Sequence, residues 1–461
     1  MARRGVRRWL PVAVGAVIAM IMALLAWLIA AVGAPARPAW RFTMPPRVVR
    51  RGAAPAHLAA AGGPGWGWIA LLGLVGLAGL VALALLARGG PEPRGRWGPV
   101  AAALALLLST GQAAPVLAFA TRLARGHWAA PLRRAAELGA VAGVVSAPVG
   151  LVLLAQLPDF RGRPSIWLDW PGAPGLWDGL AFVLLALVGL ALAWAAALPD
   201  LAAARDRGAR LAGRLALDWR GTTRQWRALA RGLTALGGLY LMLFVFVHLL
   251  VSSDLAMSLV GGWHSPNIPP YHAVSALEGG VATAVLALWL LRGGPVDAFH
   301  AAGKLLLALA LLCFYFNWAE FLTYWYGRTP DEQRLLRLLM LRPAFAAAFV
   351  GCVALPLLIL LWNRWRASVG GVTLAAAGVL VGLLADRLRI YGPAWSEVGA
   401  AGSSPLAWGA LVGLAAGAAC LYLLLLRVVP GVSAWESAQR ELLTVEHPYL
   451  KTAAPLVAKP S

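Results

Sequence analysis

Apolar runs of about 20 residues recur from one end of the chain to the other, and that recurrence constrains the fold more than any single motif. A run of this length crosses the hydrocarbon core of a bilayer as a helix. Eleven are read: 9–33, 66–88, 98–121, 138–157, 176–198, 233–258, 272–292, 301–326, 343–362, 370–391 and 406–427. Leu, Ala and Val fill them without period-two alternation, which selects helices over barrel strands as the way to satisfy backbone polar groups in lipid. With 60% hydrophobic and 13% charged residues among 461, the chain needs lipid as its solvent. The expected fold is all-α, a polytopic transmembrane helix bundle with a ten-helix core and an extra N-terminal helix. Residues 1–65 form the N-terminal hydrophobic segment and basic linker, 66–430 the bundle, and 431–461 a cytoplasmic C-terminal tail.

The formal net charge of +21 points first to nucleic acid. The Arg residues sit instead in short connections between apolar runs, so the charge reads as topology, with anionic lipid contact and no nucleic-acid partner. The basic stretch 199–232 carries eight Arg and the loop 259–271 none, which puts the first inside and the second outside a bacterial plasma membrane. Propagated along the chain, that choice leaves 25 of the 40 basic residues inside. It also forces Arg3, Arg4, Arg7 and Arg8 outward, against the usual bias, and Ala34-Pro35-Ala36 after the first run has the look of a cleavage site. Arg207, Arg210 and Arg214, then Arg220, Arg224, Arg227 and Arg231, fall at helical spacing and form one basic face.

Ionisable groups within membrane helices are costly and mark function unless paired. Asp178, Asp254, Glu278, Glu320 and Asp386 all fall in the outer half, on five different runs, while the inner half carries almost nothing comparable. Five carboxylates at one depth are expected to line one hydrated site, with Asp386 beside Arg387 as the one structural pair. The polar loop that follows Asp254 holds Trp263, His264, Tyr271 and His272 among three prolines. A His beside Trp or Tyr at the outer interface hydrogen-bonds a quinone carbonyl or receives a quinol proton, although an aromatic belt at the lipid boundary produces the same composition.

Cys313, Cys352 and Cys420 lie singly in apolar runs, so the chain is expected to ligate no iron–sulfur cluster or other metal. A b-type haem needs two His on different helices at one depth. His248 is the one His well inside a run, with His264 and His272 at the border of the next loop and His57, His127, His300 and His447 in loops or tails.

Several stretches resemble the polysulfide-reductase NrfD family of membrane subunits, closest to the quinol-binding subunit type of alternative complex III. Leu198-Pro-Asp-Leu-Ala-Ala-Ala-Arg-Asp-Arg207 with Leu215-Ala-Leu-Asp-Trp-Arg-Gly-Thr-Thr-Arg-Gln-Trp226 is similar to the family's I-P-D-L-A-T-x-R-D-R and G-W-R-G-S-x-R-H-W. His248-Leu-Leu-Val-Ser-Ser-Asp254 and Trp263-His-Ser-Pro-Asn-Ile-Pro-Pro-Tyr271 are similar to H-x-x-V-S-x-D-F and W-H-x-T-I-F-P-P-Y. Leu176-Trp-Asp178, Glu320-Phe-Leu-Thr-Tyr-Trp-Tyr326, Pro356 to Arg366 and Asp386-Arg-Leu-Arg-Ile390 complete the likeness, which runs from about 97 to 392.

The resemblance implies a helical subunit that takes electrons from menaquinol or ubiquinol at the outer leaflet and passes them to an iron–sulfur, molybdopterin-like subunit outside. A second NrfD-like membrane subunit and multi-haem cytochrome c subunits are the further partners it implies. Asp178, Asp254 and His264 are then the catalytic candidates. Gln112, Trp263 and Tyr271 join them around the quinone, and Glu278, Glu320 and Asp386 form the proton path. Two departures matter. The family's G-H-A reads Gly111-Gln112-Ala113 here, and its F-P-x-x-H reads Ala147-Pro148-Val149-Gly150-Leu151. Gln112 hydrogen-bonds but relays no proton, and Leu151 does neither, so a divergent anchoring paralogue without quinone chemistry is the second expectation. A transporter requires polar groups through the full membrane depth and inverted repeats, which the sparse inner half disfavours.

Overall fold

The computed structural model describes residues 65–89, 94–158, 172–396, 404–449 and 452–457. The run 9–33 and the linker after it lie outside the described residues. Among those described, ten helical stretches are long and apolar enough to cross a membrane: Trp66–Arg88, Gly95–Leu123, His127–Ala155, Gly175–Asp206, Thr223–Leu259, Ile268–Leu290, Val296–Gly327, Pro343–Leu360, Val369–Ser396 and Pro405–Leu425. They are numbered as spans one to ten. The chain is thus an all-α polytopic bundle, with one short antiparallel hairpin, Thr444–Tyr449 paired to Thr452–Val457, beyond it. The end of the bundle carrying the loop 260–267 is called outer and the end carrying 207–222 inner.

Several spans are longer than hydropathy alone indicates. Span three begins at His127, not at 138, because the charges that hydropathy reads as a connection lie inside its helix and are paired, Arg134 with Glu137 one turn on and Arg133 with Glu436. Span six begins at Ile268, with Pro269 and Pro270 in the first turn where their missing N–H groups cost nothing. That earlier start moves Glu278 from the outer half to the middle of its helix. The basic stretch 201–231 is three pieces and not one helix. Gly208 at φ 92°, Leu217 at φ 50° and Gly221 at φ 69° turn the chain, and Thr222 starts span five with a capping box closed by Gln225.

Spans two and three are each interrupted at mid-depth. Span two changes from one helix to the next at Thr110–Ala113, where Gln112 N donates to the Leu107 carbonyl at 3.1 Å in place of the regular partner. Span three tightens to a 3-10 turn at Gly139–Ala142. The two irregular stretches face each other, since a Cβ on Gly111 would lie 2.6 Å from Ala142 Cβ. Irregular backbone at this depth is tolerated because it is buried in protein. Spans one and ten pack most closely, and a Cβ on Gly79 would stand 2.4 Å from Gly413 Cα, the close approach that small residues permit.

The inner half is not sparse, which corrects the expectation drawn from sequence. Arg134 bonds Asp200 at 2.8 Å and the Ala196 carbonyl at 2.7 Å. Arg122 pairs with Glu137 and, at 2.9 Å, with Glu436, which Arg133 meets at 3.3 Å. Asp200 also receives Ser433 Oγ at 2.8 Å and Ala434 N at 3.1 Å. Three Arg and three carboxylates therefore neutralise one another in a buried group tying spans two, three and four to the segment after span ten. That segment, the helix Ala434–Leu443, is fastened again by Arg440 to Asp297 at 2.5 Å.

Candidate functional site at the outer end

The loop after span five carries Trp263 inward and leaves His264 exposed. Trp263 Nε1 donates to Tyr324 Oη at 3.0 Å, and Tyr324 donates to Glu320. Glu320 also receives Ser265 Oγ at 2.8 Å and Asn267 Nδ2 at 3.0 Å. The carboxylate of span seven thus holds the outer loop in shape while keeping one edge on a small cleft. Asn267, Tyr271, Phe316, Asn317 and Arg389 line that cleft with it.

Tyr271 donates to Asp386 Oδ1 at 2.7 Å. Arg389 reaches the same oxygen at 2.8 Å, and Arg387 takes the other at 2.8 Å. The expected Asp386–Arg387 pair is present, with Arg389 as a second cation. Arg387 then crosses the bundle to Ser275 Oγ at 2.8 Å and Ser109 Oγ at 3.1 Å. Each nitrogen of this buried guanidinium fork is directed at an acceptor, as a charge at this depth requires. Spans two, six and nine are joined here by hydrogen bonds.

Beside this network, at the same end and on spans five, six and nine, His248 Nδ1 lies 2.7 Å from His272 Nδ1, and His272 Nε2 lies 2.9 Å from Tyr391 Oη. Both rings are fully buried. Two facing Nδ1 atoms hold one proton between them, so the tautomer of one ring sets that of the other. If His248 donates, His272 carries its proton on Nε2 and donates to Tyr391; if His272 donates, it accepts from Tyr391. The trio has two hydrogen-bonded states that differ only in where protons sit. Sequence reasoning singled out His248 but left His272 at a loop border, because the early helix start of span six was not seen. The spacing of Tyr271 and His272 directly after two prolines is the signal that locates it.

The remaining candidates separate into places of their own. Gln112 is held at the mid-depth break, its amide donating to Ser146 Oγ at 2.8 Å, while Tyr240 donates to its backbone carbonyl at 2.5 Å. Asp178 and Asp254 are buried on spans four and five. Those spans run antiparallel with Gly189 against Tyr240, a register that carries both carboxylates to the outer end of adjacent helices. Glu278 receives Cys313 Sγ at 3.3 Å. The structure therefore brings Tyr271 and Glu320 to one cleft, with Asp386 bonded to Tyr271 and Trp263 to Tyr324 at its edge, and sets Gln112, Glu278 and the Asp178–Asp254 end apart. Leu151 is 45% exposed on the bundle's periphery.

No family model matches the chain, and no curated protein matches it. What its fold and site define is a multi-pass helical membrane protein with a buried polar network at each end.

Proposed function

We propose that the chain is a quinone-interacting membrane subunit of a respiratory oxidoreductase in a bacterial plasma membrane, acting at the outer leaflet. The observation that carries this is a polar cleft at the outer end, with room for about one water in its present closed form, beside a buried chain of protonatable side chains at the same end of the bundle. Tyr271 and Asn267 line the cleft, and a quinone carbonyl there takes its hydrogen bond by displacing Asp386 or Glu320 as the acceptor of their O–H or N–H. Glu320 at the cleft, and Asp178 and Asp254 at the neighbouring helix ends, are the proton acceptors. His248, His272 and Tyr391 pass a proton between spans five, six and nine at this end by exchanging tautomers. Quinol oxidation supplies two electrons and two protons there. The electrons pass to an iron–sulfur partner outside, and the second NrfD-like subunit and multi-haem cytochromes complete the complex.

A second reading is favoured by particular residues. Gln112 is fully engaged by Ser146 and Tyr240, and Leu151 faces outward, so the two positions that depart from the family contribute nothing to an outer quinone pocket. A divergent anchor that packs against the partner subunits fits that pair of facts. Asp254→Asn, together with His264→Ala, decides. The redox reading expects at least a ten-fold loss of quinol turnover in the intact complex for Asp254→Asn and weakened quinone binding for His264→Ala. Unchanged turnover in both, with no saturable quinone binding to the purified complex, establishes the anchor.

A further inference from the structure

Span seven carries two seams at the alternating three-and-four spacing of helix packing. One, containing Leu306, Ala310, Cys313, Asn317, Glu320 and Tyr324, is buried against the chain's own helices. The other, Leu311, Tyr315, Trp318, Leu322 and Trp325, is displaced by one or two residues at each step, about 140° around the axis, and faces outward.

The depth of Tyr315 decides what covers this face. Cys313 bonds Glu278, which stands near the middle of the 23-residue span six, so Cys313 lies at mid-membrane. Tyr315 follows about 3 Å further along the axis and is 63% exposed. Side chains on a helix lean toward its N-terminus, here the inner end, so the Tyr315 hydroxyl leans away from the nearer outer boundary and stays in the hydrocarbon. Among the described residues neither it nor the Trp318 indole N–H meets a hydrogen-bond partner; the contacts of both are to rings, Phe316 for Tyr315, Phe314 and Phe321 for Trp318. Lipid tails offer no acceptor. The first span is the contrast: beyond the tryptophans at its inner end its exposed large side chains, Leu71, Leu74, Leu77, Leu80, Val81 and Leu85, carry no polar atom and suit lipid tails.

We propose that the open seam of span seven docks a transmembrane helix of a different polypeptide, which accepts a hydrogen bond from Tyr315 at mid-membrane and packs small residues against Trp318 and Leu322. This rests on the reading of the chain as a subunit of a complex, and not on its quinone chemistry.

The test is site-specific photocrosslinking in intact membranes, with p-benzoylphenylalanine in place of Tyr315, of Leu322 or, as the control, of Leu77. Crosslinks from 315 and 322 are expected to map by mass spectrometry to one apolar segment of about 20 residues in another polypeptide, with none from 77. Tyr315→Phe keeps the ring and removes the donor, and is expected to lower the partner retained on purification about three-fold, the size of an average interhelical hydrogen bond in a membrane. Adducts with lipid alone at all three positions overturn the proposal, as does crosslinking between two differently tagged copies of this chain. Quinone titration of the same preparation separates the two ideas: crosslinks without quinone binding sink only the redox reading, and quinone binding without crosslinks sinks only the interface.

Discussion

Tyr391 is the residue at which the proposed proton chain is most directly probed. Tyr391→Phe preserves the ring that packs on His272 and deletes the hydroxyl 2.9 Å from its Nε2. With that partner gone the two tautomeric states of the histidine pair are no longer balanced. If the chain carries quinol protons, turnover in the intact complex is expected to fall ten-fold or more with a changed solvent isotope effect; unchanged values assign the trio to packing alone. Tyr240→Phe is the structural counterpart. It leaves the Gln112 carbonyl at the break of span two without its 2.5 Å donor, and a buried acceptor so orphaned costs about 1–3 kcal/mol. A lowered melting midpoint in detergent with quinone binding retained is the expected result.

At the scale of elements, ten spans were legible from apolar run length because the hydrocarbon core demands it of any helix that crosses. Their ends were not. Arg133, Arg134 and Glu137 read as a connection because hydropathy scores each charge alone, whereas in the bundle each has an opposite charge from another turn or another helix. The same blindness hid Asp200 and Glu436 and made the inner half look empty. The outer candidates were legible as a set, since Asp178, Asp254, Glu320, Asp386, Trp263 and Tyr271 do reach one end. Their division into separate groups was not, because it depends on which helix neighbours which. The contact between spans one and ten offers a test at this scale. Gly413→Leu adds a side chain where even a Cβ meets Gly79 backbone at 2.2 Å, and the overpacking is expected to cost about 1–3 kcal/mol or more. Readout is the accessibility of a single cysteine at Gly73, low in the parent and raised in the variant.

For the molecule as a whole, the buried charges at the inner end join the last part of the chain to its first helices. Burial pushes the Glu436 carboxyl up, but Arg122, Arg133 and Arg134 outweigh it and hold the group below the ordinary glutamate range. A carboxyl depressed in the folded state contributes stability above its unfolded value, near 4.3, and loses it as pH falls through the folded value. Protease cleavage within Ala434–Leu443 is therefore expected to be slow at neutral pH and to rise only in acid below about pH 4. Glu436→Gln should make it fast at every pH; equal rates for the two proteins would disprove the latch.

The same cluster sets a clock on biogenesis. Arg133 and Glu436 are 303 residues apart, which at 5–20 residues per second is roughly 15–60 s of translation. Through that interval Arg122 and Arg133 must enter the membrane region with Glu436 still unmade, and only Glu137 and Asp200 at hand. The inner end of the bundle thus closes as a late event, only after residues 433–436 have been made, and a nascent chain stopped before residue 433 holds three cations against two anions.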